Sequence, residues 1–187
     1  MGSKLLKEWA IVCKALGDGR QIFIARKGGI SEAEGEFVVE NREFFLLPTY
    51  LHQSADQLDP RYRAELELVG REEPRDGFLP IGLFARVTDE LPILRPEPLR
   101  RLEHIWNPKL LEERFGWGAE KKLMLLVLRV YRLPEPIRLP MRPKYGGCKS
   151  WVTPETEIVV PKGLSPVLSD TEFARQREQL LRKIDEY

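Results

Sequence analysis

The sequence predicts an α+β fold, a mixed or antiparallel sheet that can curl into a barrel-like form, with flanking helices. Three observations carry that expectation. Apolar runs with strand character recur at Gln21–Ala25, Ile81–Val87 and Leu123–Leu133. Helical spacing of apolar residues occurs at Leu5–Leu16 and again at Phe173–Ile184, with shorter stripes between. The elements follow the order helix, several strands, helix, strand, helices, strands, helix.

Each element has a local reason. Ser3 can cap a helix whose apolar stripe is Leu5, Leu6, Trp9, Val12, Cys13 and Leu16, with Gly17 as its stop. Asp18 and Gly19 turn the chain into a strand whose Ile22, Phe23 and Ile24 are apolar on both faces, which predicts a central position. Phe37–Val39 and Phe44–Leu47 read as a hairpin joined at Asn41 and Arg42. Pro48 and Thr49 open a helix carrying Leu51, Ala55 and Leu58, with His52 and Gln53 toward its polar side. The charged stretch around residues 60–77 reads as an exposed connection.

Leu99, Leu102 and Trp106 form a short helical stripe. Asn107 and Pro108 fit the cap and first position of another helix, ended by Gly116. The proline-bearing run from Leu133 to Pro143 is expected as extended chain away from the middle of a sheet. Ile158–Val160 is a last short strand. Ser169 with Glu172 and Leu168 with Phe173 mark the start of a C-terminal helix at about 169–186.

The whole, 1–187, suits a single domain, with 42% hydrophobic and 32% charged residues and no internal repeat. No window approaches the ~18 apolar residues of a membrane span, and the N-terminus lacks a signal-peptide pattern. Cys13 and Cys148 stand alone, without a CxxC pair or zinc-ligand spacing. A cytoplasmic protein with reduced thiols and no membrane partner is the expectation.

A net charge of +1 gives no global argument for nucleic acid, but the charge is uneven. Residues 1–30 carry six basic and two acidic side chains, residues 31–76 five and twelve, and residues 129–149 six and one. Such asymmetry marks either a binding face or acidic and basic segments that neutralise one another in the fold. Arg129, Arg132, Arg138, Arg142, Lys144 and Lys149 are interleaved with Tyr131, Tyr145 and Trp151. Cations can hold phosphates while rings stack on unpaired bases; the alternative is a surface crossover whose aromatics fill the core. Arg26, Lys27, Gly28 and Gly29 offer an anion-accessible turn, or an ordinary strand end, and match no phosphate-loop pattern.

Catalytic signals are sparse. His52 and His104 have no ligand partner three or four residues away, so no metal site is assigned. There is no nucleophile elbow and no evident cysteine–histidine pair. Glu8, Glu36 and Glu40 could supply carboxylates to a metal-dependent nuclease, with magnesium as its cofactor and His52 nearby. That reading meets an obstacle at Glu40-Asn41-Arg42, where arginine replaces the lysine of the E-x-K pattern.

LKEWAIVCKALGDGRQIFIARKGGI, then GEFVVENREFFLLPTYLHQ, LRVYRLPEPIRLP and GGCKSWV, resemble the bacterial domain of unknown function 1802 family over most of the chain. A remoter resemblance, over Leu16 to Arg26, is to PUA-like and ASCH domains. It implies a small β-barrel of a kind that commonly binds RNA and in some members is a hydrolase. Gly19-Arg20-Gln21 departs from the Gly-x-Lys turn of those domains, so the lysine-dependent chemistry is not implied. Without a cofactor, the leading expectation is binding of RNA or another single strand. The residues concerned are Arg26, Lys27, Arg132, Arg142, Lys144, Tyr145 and Lys149, with Arg20 on the same face. The alternatives are a nuclease or small hydrolase using Glu8, Glu36, Glu40 and His52, and a protein-interaction module using the acidic segment.

Overall fold

The computed structural model describes residues 4–27, 39, 41–117, 121–147 and 149–185. Ser3, Gly28, Gly29, Glu36, Phe37, Glu40 and Cys148 therefore lie outside the described residues, and with them most of the first hairpin strand.

Seven strands form one mixed sheet: β1 (Lys4–Trp9), β2 (Phe23–Arg26), β3 (Glu43–Thr49), β4 (Phe78–Ile93), β5 (Leu123–Pro140), β6 (Trp151–Val152) and β7 (Ser165–Pro166). Four helices flank it: α1 (Ala10–Gly17), α2 (Arg63–Arg71), α3 (Pro108–Gly116) and α4 (Asp170–Asp185). The sheet order is β2-β5-β4-β3-β1-β6, with β7 pairing on β5. Only β1 and β3 run parallel; the other pairings are antiparallel. The sheet is a curled half-barrel, and its first and last strands approach each other through Arg26. From β2 that side chain donates to the Lys7 carbonyl at 3.2 Å, to Glu8 of β1 at 3.2 Å, and to Ser150 Oγ beside β6 at 2.6 Å.

Strand alternation divides the core in two. Leu6, Phe44, Leu46, Ala85 and Val87 face the larger cluster under α1 and α4. Their neighbours Leu5, Phe45, Leu47 and Phe84 face a second cluster covered by Tyr145, Val152 and Ile158. A period of two is what a sheet buried on both faces requires.

Several expectations need correction. The strand expected to be central, β2, is the terminal strand of the sheet order, and its second face is covered by packing rather than by a further strand among the described residues. The expected first helix is a strand as far as Trp9, and the helix proper is Ala10–Gly17. Leu5 and Leu6 are each fully buried but on opposite faces, which a single helical stripe cannot provide. The helix expected after Pro48 is absent. His52 takes a left-handed φ of 65°, Leu51 is exposed, and only a short 3₁₀ turn, Ala55–Gln57, follows.

The connection at 60–77 contains α2, mostly exposed, with Val69 buried and Leu66 packed against the core. Ile158–Val160 is unpaired chain whose Ile158 plugs the second cluster. The proline-rich run does belong to β5, paired with β4 only. Between Leu83↔Arg132 and Ile81↔Ile137 the register shifts, so Pro134 and Pro136 fall in an irregularity opposite Gly82. There no ladder hydrogen bond is asked of a proline nitrogen.

Two capping expectations hold, whereas α1 starts at Ala10 with Trp9 in its cap position and no side-chain cap, so the one for Ser3 does not. Asn107 Oδ1 accepts from the Leu110 amide at 2.7 Å, and Ser169 Oγ from the Glu172 amide at 3.1 Å. Among the described residues no helix is long and apolar enough to cross a membrane.

Candidate nucleic-acid interface

The curl leaves a cleft of about 490 Å³ where β1, the end of β2, the turn after β3, the end of α3 and residues 145–147 and 149–150 meet. Of the residues singled out in the sequence, Glu8, Arg26, Lys27, His52, Tyr145 and Lys149 line it.

Glu8 is buried, and both its oxygens are engaged. Oε1 accepts from the Trp9 amide at 2.8 Å and Oε2 from Arg26 at 3.2 Å. The carboxylate therefore orients Arg26 as it closes the sheet. Lys27 reaches the Phe115 carbonyl at 3.3 Å and the Lys122 carbonyl at 3.0 Å, capping the end of α3. His52 is exposed on its turn. Lys149 is exposed, with no ion-pair partner among the described residues.

Other sequence candidates are placed elsewhere. Arg142 lies on the rim of an adjoining pocket and with Lys144 pairs with Glu155, at 3.1 and 3.3 Å. Arg132 donates to the Gly17 carbonyl, near β7. Arg20 grips Glu65 with two bonds of 2.6 and 2.7 Å and also holds Asp18 at 2.9 Å. Arg129 is buried against Asp170, and Arg138 pairs with Asp76. Tyr145 and Trp151 are core residues. His104 is buried too, with Nε2 3.0 Å from the Leu99 carbonyl and its ring edge-on to Phe23. The acidic segment thus supplies internal counter-charges for Arg20 and Arg138.

Sequence reasoning missed Arg114 and Trp117. Arg114 is half-buried, 4.7 Å over the Trp9 ring and 5.8 Å over that of Trp106. Burial pulls its guanidinium below the ordinary value, Glu8 opposes the shift, and Arg26 adds to it. Trp117 is 52% exposed at the cleft, just past the glycine that ends α3. A tryptophan directly after a helix-stopping glycine was the only local signal in the sequence.

Beside the cleft lies an apolar pocket of about 350 Å³ lined by Tyr50, Leu51, Leu79, Met141 and Pro143 among others. The two share Lys7, Thr49, Leu51, Tyr145 and Gly146, and so form one groove. One half is cationic and the other apolar. Among the described residues, no three His, Cys, Asp or Glu side chains cluster as a metal site would require.

Comparison with known proteins completes the description. No curated protein matches the chain. Similar solved structures include ASCH from Zymomonas mobilis, with 14% identity, covering 96% of this chain and 95% of that one at a TM-score of 0.41. A serine-to-alanine mutant of the same protein matches at 14% identity, with 96% of both chains covered and a TM-score of 0.42. A family model described as "Domain of unknown function (DUF1802)" spans residues 5–179, from the first buried leucine of β1 well into α4. With nearly every element of the sheet inside that match, the chain belongs to the DUF1802 family.

Proposed function

We propose that the groove binds single-stranded nucleic acid, with RNA as the favoured class. The observation that carries this reading is the cleft's charge. Lys7, Arg26, Lys27, Arg114 and Lys149 line it against Glu8 alone among the described residues. That carboxylate is already engaged by Arg26. A polyanion complements a cleft lined by cations, Arg114 and Lys149 above all, and the exposed Trp117 ring offers a face on which a base can stack.

The test is a salt titration of binding to a mixed oligonucleotide pool. Binding at low salt that weakens linearly in the logarithm of salt concentration supports the reading. No binding at low salt, or binding indifferent to salt, removes it. Lys149→Glu is the variant of choice, since an exposed side chain without an ion pair can be reversed at small cost to the fold.

A hydrolase is the second reading, favoured by Glu8 and His52 lining the same cleft. Its nuclease form, with magnesium as cofactor, also needs Glu36 and Glu40. Magnesium-dependent degradation of a labelled strand, lost in Glu8→Gln and His52→Ala, would establish it in place of simple binding.

A further inference from the structure

We propose that Arg114 is the phosphate anchor of the groove, with Lys149 as its second contact, and that the adjoining apolar pocket takes the unpaired base next to the anchored phosphate. This rests on the nucleic-acid reading above and narrows it to a splayed single strand.

Arg114 is the unusual group in the cleft. Its ring contacts with Trp9 and Trp106 hold the guanidinium plane, yet its N–H donors have no acceptor among the described residues. Every other arginine named above has an oxygen partner: Arg26 has Glu8, Arg129 has Asp170, Arg20 has Glu65. A planar fork of five donors, fixed by indoles and left without an acceptor, is suited to bidentate binding of a phosphate. Glu8, whose two oxygens accept from Trp9 and Arg26, makes no hydrogen bond with it. Arg26 beside it adds like-charge repulsion, which an anion in the cleft would relieve.

The second half of the argument is polarity. The groove passes from Lys7, Thr49 and Gly146, which line both halves, into walls of Leu51, Leu79, Met141 and Pro143. Leu51 and Met141 are 68% and 51% exposed there. A ligand with a charged oxyanion on one side and a flat, weakly polar body on the other fits both halves. A nucleotide has that build. A base-paired duplex does not, since it keeps its bases stacked inside and away from such a wall.

The experiment compares three probes against the full chain: a short single-stranded RNA, the same sequence as a duplex, and a single strand with abasic positions. Arg114→Lys and Arg114→Gln are measured with each, and the Trp9 indole resonance is followed in the unaltered protein. Expected is tighter binding of the single strand than of the other two, and a shift of the Trp9 resonance on binding. Arg114→Gln should lose at least tenfold in affinity, with a salt slope smaller by about 0.7. Arg114→Lys, which keeps charge and stem but not the fork, should fall between.

If the single strand binds but Arg114→Lys leaves affinity and slope unchanged and the indole resonance does not move, the anchor is wrong and the binding function stands. If the duplex or the abasic strand binds equally well, the base pocket is wrong. If none of the probes binds, the binding function fails and this proposal with it. The indole shift and the conservative lysine variant decide the matter even where Arg114→Gln does not fold.

Discussion

Glu8 and Arg26 show how a site and a fold share the same atoms. Their side chains are 3% and 16% exposed, so each charge depends on the other for compensation. Arg26→Ala leaves the Glu8 carboxylate buried opposite a void. It should cost about 3–5 kcal/mol in urea unfolding. Adding Glu8→Ala should recover part of that loss, because the uncompensated charge goes with it. Additive losses in the double variant would show that the two side chains do not act as a pair.

His104 makes a pH prediction. Burial holds its imidazole below the ordinary 6.5. The folded state therefore resists a proton that the unfolded chain accepts, and stability is lost as pH falls below about 6.5. Glu172 is held at about 2 by hydrogen bonds from Arg175 and Gln176, so its own contribution is lost only below about 4.5. Denaturant unfolding between pH 7 and pH 5 should show a slope in the wild type that His104→Gln flattens. An unchanged slope would locate the acid sensitivity elsewhere. The sequence left both histidines without a ligand partner three or four residues away. Their fates were not legible there, because one was decided by Phe23 and Trp106 packing around it and the other by a left-handed turn.

At the scale of elements, caps and stops are local and were legible: Asn107 before Pro108, Ser169 before α4, Gly116 at the end of α3. The first segment was not. Leu5 and Leu6 satisfy a helical stripe as well as a strand, and only the parallel partner β3 selects the strand. Gly19 illustrates a turn that depends on a distant element. It sits at φ +70°, and a Cβ there would lie 2.6 Å from Leu168 Cδ2, just before α4. Gly19→Ala should destabilise by at least about 1–2 kcal/mol from the backbone conformation alone. Leu180 fixes the far end of α4 and is 5% exposed. Leu180→Ala should cost about 2–5 kcal/mol, read by thermal or urea unfolding. A smaller loss at Leu180 would mean that α4 is held chiefly by its ion pairs, Arg177 with Asp89 and Arg129 with Asp170.

For the whole molecule, the uneven charge resolves into two populations. Much of it neutralises itself: Arg20 with Glu65, Arg138 with Asp76, Arg142 and Lys144 with Glu155. The cleft holds the other population: Arg26 is paired there with Glu8, while Arg114 and Lys149 have no ion-pair partner among the described residues. High salt should therefore act weakly on stability, since half-exposed pairs contribute little and are screened. It should act strongly on oligonucleotide affinity. Parallel unfolding and binding titrations over one salt series would separate the two, and equal sensitivity would mean that binding and folding draw on the same charges.

Composition and apolar periodicity determined the α+β class, the apolar strands, the C-terminal helix and the caps at Asn107 and Ser169, because those depend on contacts within a few residues; they misplaced β2, which is apolar on both faces yet ends the sheet order. They also pointed to Arg26, Lys27 and Lys149 as cations of interest. Which cations meet was decided by the tertiary structure. The curl of the sheet brings residues 7–9, 25–27, 49, 51–52, 114, 117, 145–147 and 149–150 to one cleft, and no spacing in the chain encodes that approach. Arg114 is the clearest case. On the sequence it is one charge on a short amphipathic helix; in the fold it stands over Trp9, with an open edge toward the groove.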